Sequence, residues 1–350
     1  MKQMFNLQQL ADMIQSNDAH KADFVVPTAA IEMRPDATLS IGRDDRPATD
    51  LAHRQIATYA DIPAAYYDRL RTNDPALLAT NVNRWIAGDA AKGKDRRMVR
   101  TSNGTVRALL SDRYQRIDNR EVAEVALNVL SEQPGLRVVS SAITESRMYI
   151  KAISSSVELA VPGSRRVGDF VQAGVMISNS EVGLGSVSIK PFAEFLVCTN
   201  GMVRDSVLRS AHIGRRIDAS IEGLLSDETR RLGDELVLRK VRDVIRHAFD
   251  AKQFGEFMER IAATTQQQIT GDVHAAVERL GPVLGLQIEE RKSVLRHLVE
   301  GGDLSRYGLV NAVTRTAQDV ESYDRATEIE TIGYRLVELP AREWNTVAAA

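Results

Sequence analysis

Apolar and polar residues alternate in four successive runs between positions 136 and 203, and after position 218 the spacing turns helical and stays so. Strands that follow one another with only short turns between them pair antiparallel, and helices that cluster elsewhere must cover the resulting sheet. The pattern therefore predicts an α+β fold: an antiparallel β-sheet meander with flanking helices and a helical C-terminal third. The runs are "LRVVSSAITESRMYIKAISSS", two strands with a turn near 144–146, then "DFVQAGVMISNS" and "GSVSIKPFAEFLVCTNGMV". In the third run Val171, Ala173, Val175 and Ile177 share one face by the strand period of two.

Upstream, the spacing predicts a helix over 6–16, an extended segment over 22–33 and three short helices within 51–88, with Pro63 and Pro75 at helix starts. Asn103-Gly104 sits between two alternating segments, the strongest short hairpin signal a sequence carries. A helix follows over 118–133, with Asp118 as N-cap and Glu121 as its capping-box partner. Further helices are expected within 218–270 and over 272–301, 304–320 and 324–336. The expected division is a mostly helical region over 1–90, a β-rich core with the hairpin over 91–217, and a helical region over 218–350.

Catalytic and cofactor signatures are missing from the sequence. The six histidines form no HxH or HExxH pattern. Cys198 is the single cysteine, so no intrachain disulfide or multi-cysteine zinc site can form, and its apolar neighbours make it a buried strand residue. The Gly183–Gly185 pair joins two strands, unlike a dinucleotide-binding loop, and no Walker lysine pattern occurs. Glu181 and Glu194 are isolated carboxylates. The expectation is a non-enzyme with no cofactor and no metal. Neither a signal peptide nor a run of the ~20 apolar residues of a membrane span is visible, which points to the cytoplasm and away from a membrane.

The charge distribution is more informative. The whole chain carries a formal −2, yet 92–120 holds nine basic residues against three acidic ones. The nine are Lys92, Lys94, Arg96, Arg97, Arg100, Arg107, Arg113, Arg116 and Arg120. A second cluster follows the strands: Arg204, Arg209, His212, Arg215 and Arg216. Such groups bind backbone phosphates largely without reading sequence, and Tyr114 is placed to stack on a base. The alternative is a solvated hairpin face. Asn179, Ser180 and Asn200-Gly201 read as turn-shaping residues, with Asn200-Gly201 tolerating positive φ.

Several blocks resemble a family of unknown function carried on phages and plasmids: "YADIPAAYYDRL", "VRALLSDRYQRIDNREVAEVAL", "VMISNSEVGLGSVSI", "FLVCTNGMV" and "SRYGLVNAVTRTAQD". The likeness spans about 50–320 and implies no activity. The order of elements, a hairpin, a helix, a strand meander and long helices, is also similar to that of the ring-forming single-strand annealing proteins such as phage Redβ. That similarity implies a homo-oligomer, a ring or filament, that binds single-stranded DNA and anneals it without ATP in recombination. The nucleic-acid contacts expected on this reading are Arg96, Arg97, Arg100, Arg107, Arg113, Tyr114, Arg116, Lys190, Arg204, Arg209, Arg215 and Arg216. A second reading stays open: an oligomeric phage or plasmid protein that acts on a host protein and binds no nucleic acid.

Overall fold

The structure is a computed structural model that describes residues 7–90, 96–112, 114, 117–165, 167–185, 187–197, 200–204 and 226–350. Its centre is a five-stranded antiparallel sheet in the order β11-β10-β9-β8-β7. The strands are β7 (Leu136–Ile143), β8 (Met148–Ala160), β9 (Phe170–Asn179), β10 (Ser188–Phe195) and β11 (Asn200–Val203). Sequence neighbours are spatial neighbours throughout, so this is the meander that the alternation predicts, and with the helices below it makes the fold α+β. A second sheet, β1-β5-β6, combines β1 (Lys21–Pro27) with the hairpin β5 (Arg96–Ser102) and β6 (Thr105–Ser111). Short strands β2 (Ile31–Met33), β3 (Leu39–Ile41) and β4 (Asp44–Arg46) form a third.

Twelve helices lie among the described residues. They are α1 (Leu7–Ala19), α2 (Asp50–Tyr59), α3 (Ala64–Asn73), α4 (Pro75–Ala90) and α5 (Asn119–Ser131). The C-terminal set is α6 (Asp227–Ala248), α7 (Ala251–Thr265), α8 (Val273–Leu284), α9 (Ile288–Gly301), α10 (Arg306–Thr316), α11 (Tyr323–Val337) and α12 (Ala341–Ala348). No helix among the described residues is long and apolar enough to cross a membrane.

The core divides by sheet face. Ile150, Val175, Ile177 and Ile189 pack against Val122 and Val129 of α5 and Val237, Val241 and Ile245 of α6. Val171 and Ala173, from the same face of β9, reach a larger cluster with Phe195, Met202 and the helices from α7 onward. Tyr149, Ile153, Met176 and Phe192 point the other way, toward Tyr323 of α11.

Local chemistry explains the elements that the sequence announced. Asn103 and Gly104 both adopt positive φ, 49° and 78°, the geometry whose twist matches the flanking strands. Asp118 and Glu121 close a reciprocal capping box on α5.

Other expectations are corrected. β1 pairs with β5 along its whole length, from Lys21↔Ser102 to Pro27↔Arg96. The hairpin therefore shares one sheet with the N-terminal strand β1. Asn200-Gly201 is the start of β11 rather than a turn, paired with Phe195 and Glu194. Gly201 is required there by packing: a Cβ would lie 2.2 Å from Phe192 Cζ. The helix expected over 272–301 is two helices. Gly285, at φ 73°, caps α8, and a Gln287–Glu290 capping box starts α9. Helix α12 follows Pro340 and was not anticipated.

Candidate functional site

The loop after β9 brings the site together. Ser180 Oγ accepts from the amides of Val182 (3.4 Å) and Leu184 (3.1 Å). Gln55 donates to Val182 O at 2.6 Å, and Arg100 donates to Glu181 O at 2.7 Å. Gly183 has φ 82°, and a Cβ on it would strike Leu110 at 2.5 Å. This loop drives the Glu181 side chain inward, where it is 3% exposed.

Glu181 is the node of the site. Its Oε1 accepts from Lys21 Nζ at 2.6 Å and from the Asn119 amide, in the first turn of α5, at 2.7 Å. Its Oε2 accepts from Arg107 NH1 at 2.6 Å. Burial by itself raises a carboxyl pKa. Lys21, Arg107 and the α5 amide outweigh it and hold Glu181 down at about 2.

A cavity of about 120 Å³ adjoins this node. Its wall includes Asn17 of α1, Lys21, Ser102, Arg107, Asn119 and the Thr144–Arg147 turn between β7 and β8. No aromatic residue among the described residues lines it. Arg147 crosses the rim and donates to Leu184 O. Gly185 leaves room for that guanidinium, since a Cβ there would meet Arg147 NH2 at 2.9 Å.

Arg107 carries the most telling feature. NH1 is committed to Glu181, while Nε and NH2 are buried without a hydrogen-bond partner among the described residues. These two nitrogens form the side edge of the guanidinium fork. The same edge in Arg100 grips both oxygens of Asp23 at 3.0 Å, and in Arg325 it grips both oxygens of Glu290 at 2.7 Å. In Arg107 it has no such anion among the described residues.

A second polar seam lies between the sheet and α11. Asp324, in the first turn of α11, accepts from Thr144 Oγ1 at 3.2 Å and from Ser146 Oγ. Farther along, Glu330 pairs with the buried Lys151, whose Nζ lies 4.9 Å from the Tyr323 ring centroid. Burial and the nearby Glu330, against the pull of Arg137 and Lys151, raise the Glu194 carboxyl to about 7.

The basic hairpin is not the open groove that its charge suggests. Arg100 is 0% exposed and satisfied by Asp23, Asp118 and the Glu181 carbonyl, so the expected phosphate contact there is corrected. Arg204 is also buried, its guanidinium 4.4 Å from the Phe257 ring centroid, and is likewise corrected. Tyr114 is half-buried against the Met98, Ala108, Leu110 and Val182 cluster and donates to Ser180 O at 3.1 Å, which removes it as a stacking platform. Arg97 lies 3.8 Å over the Tyr59 ring. Arg96 is exposed and donates to Val25 O, and Lys190 is partly exposed. Of the expected contacts that lie among the described residues, only Arg107 lines the pocket. Arg113, Arg116, Arg209, Arg215 and Arg216 lie outside the described residues, as do Cys198, Lys92, Lys94 and His212.

Lys21 and Arg147 were missed. Lys21 stands alone at a strand start and Arg147 in a polar turn, and nothing local marks either. Asn179 and Ser180 do shape the loop: Asn179 donates to Ile117 O and Asn119 Oδ1, both at 2.9 Å. No family model, no curated protein and no solved structure matches this chain.

Proposed function

We propose that this chain binds single-stranded DNA by its backbone phosphates, at the Arg107 pocket rather than along the hairpin, and acts as an ATP-independent strand-annealing protein of a phage or mobile element. The observation that carries this reading is the Nε/NH2 edge of Arg107, two cationic donors that no atom among the described residues satisfies. A buried donor without an acceptor costs about 1–3 kcal/mol, and a phosphate supplies two acceptors in the matching geometry. Lys21 and Arg147 line the same pocket, together with the carboxylates of Glu145 and Glu181. The described lining is polar, charged and aliphatic, which supports recognition of backbone over base and leaves bases free to pair, as annealing demands.

One pocket neutralises few phosphates, so useful affinity for a strand requires several copies side by side. The proposal therefore includes a homo-oligomer. A second reading, an interaction protein without nucleic-acid affinity, draws on α4, where Leu77 and Trp85 share one face and are 43% and 56% exposed.

Fluorescence anisotropy with labelled oligo-dT at low and physiological salt, with light scattering alongside, tests both. Salt-dependent binding by a multimer supports the first reading. No binding at either salt, with a multimer still present, favours the second.

A further inference from the structure

Helix α9 buries one face and leaves the other uncovered among the described residues. Val294 and Leu298 are 0% and 1% exposed in the core, whereas Ile288 and Val299 are 63% and 64% exposed. Ile288, Lys292, Leu295 and Val299 follow one another at intervals of four, three and four residues, so they form one stripe along the helix. Such alternating intervals are the d and a positions of a heptad, the seam along which two helices pack. With Ile288 at d, Lys292 takes a, Leu295 d and Val299 a. Val283, 60% exposed at the end of α8, and Leu304, just beyond Gly302, add exposed apolar surface before and after the stripe.

The stripe is complementary to itself when reversed. Two copies of α9 laid antiparallel about a two-fold axis set Ile288 of one against Val299 of the other, twice, with Lys292 against Leu295 between them. The exposed apolar ends then cover each other, and the lysine stem lies along leucine while its ammonium reaches water. The same rotation brings the two e positions together, so that Glu289 of one copy meets Arg296 of the other. A parallel pair would stack Lys292 on Lys292 and set Arg291 beside Arg296. Within one chain Glu289 pairs with Lys292 at 2.7 Å and Arg296 with Asp319 at 2.9 Å. Both are exposed pairs, which contribute little and are readily exchanged.

We propose that the exposed stripe of α9 pairs antiparallel with the same stripe of a second copy, so that the oligomer is built from two-fold dimers. The inference rests on the homo-oligomer of the proposed function and not on its phosphate site. Ile288 and Val299 stand about 17 Å apart along the axis. So short a contact places self-association at around micromolar concentration.

The test uses the full chain with Cys198→Ala, which removes the single native cysteine, and a short bis-maleimide. Ile288→Cys alone and Val299→Cys alone should give no crosslinked dimer on a denaturing gel. The double variant, and a mixture of the two single variants, should give one. Light scattering from about 1 to about 100 μM, at low salt, follows association. Glu289→Arg and Arg296→Glu should each weaken it on the order of fivefold, and the two together should restore it.

Crosslinking within either single variant, or a multimer whose double variant gives no crosslink, overturns this interface and leaves the oligomer standing. A monomer at every concentration overturns both. Slow maleimide labelling at 288 and 299 in such a monomer would assign the stripe to another segment of the same chain. None of these outcomes bears on the phosphate site, which oligo-dT anisotropy reads separately.

Discussion

Lys21 Nζ lies 2.6 Å from Glu181 Oε1, a contact that spans 160 residues of sequence. It joins the start of β1 to the loop after β9, and Arg107 completes it from β6 at 2.6 Å. With both oxygens of Glu181 occupied, three segments distant in sequence are fixed around one buried charge.

Replacement of Glu181 by Gln leaves Arg107 buried without its counter-charge and leaves Lys21 with Asp18 alone, at 3.2 Å. A broken buried pair costs about 3–5 kcal/mol, and the loss should appear as a lower urea midpoint. The pH dependence follows from the depressed pKa. The stabilisation is complete above the ordinary carboxyl value of 4.5 and is lost as pH falls toward about 2. Acid unfolding of wild type should show this, and Glu181→Gln should lack that component.

Glu194 titrates with the opposite sign. Its pKa is raised from 4.5 to about 7, so the folded state holds a proton that the unfolded state has released. Stability should therefore rise as pH falls from about 7 toward 4.5, by about 1–3 kcal/mol. Glu194→Gln should match or exceed wild-type stability at about pH 8 and flatten that part of the profile. Melting curves across the range check it.

Arg100 separates structural charge from ligand-binding charge. Its guanidinium is fully buried between Asp23 and Asp118. Arg100→Met removes the cation those carboxylates share and should cost about 3 kcal/mol. Affinity for oligo-dT, measured on the folded fraction at low temperature, should stay within about twofold of wild type, because no part of Arg100 reaches the pocket. A large loss of affinity in a folded variant would restore the hairpin as the binding face.

Gly201→Ala tests the corrected place of the Asn200-Gly201 pair. The added methyl meets Phe192 Cζ at 2.2 Å within the β10–β11 ladder. Overpacking of this kind costs about 1–3 kcal/mol. A turn glycine of ordinary φ in open space would accept alanine without loss, so chemical denaturation distinguishes the two.

Much of the fold was legible because the signals are local. Asn103-Gly104 fixes its hairpin through positive φ, the Asp118–Glu121 box starts α5, and the alternation over 136–203 gives the sheet its order. The site was far less legible, for a physical reason. Counting cations along 92–120 measures charge but not exposure, and the acids that cancel it arrive from elsewhere in the chain. Asp23 reaches Arg100 across 77 residues, and Glu181 reaches Arg107 across 74. No spacing rule encodes such pairs. Glu181 was singled out as a lone carboxylate, yet its isolation in sequence is what allows three segments to converge on it.

The central claim is that the unpartnered edge of Arg107 receives a phosphate, and Arg107→Lys tests it most directly. Lysine keeps the positive charge that Glu181 needs but removes the paired Nε and NH2 donors. Oligo-dT anisotropy across a salt series, on protein shown by melting to be folded, should give affinity about tenfold weaker than wild type, with a log–log salt slope shallower by up to about 1. Wild-type affinity and slope in a folded Arg107→Lys variant would contradict the account.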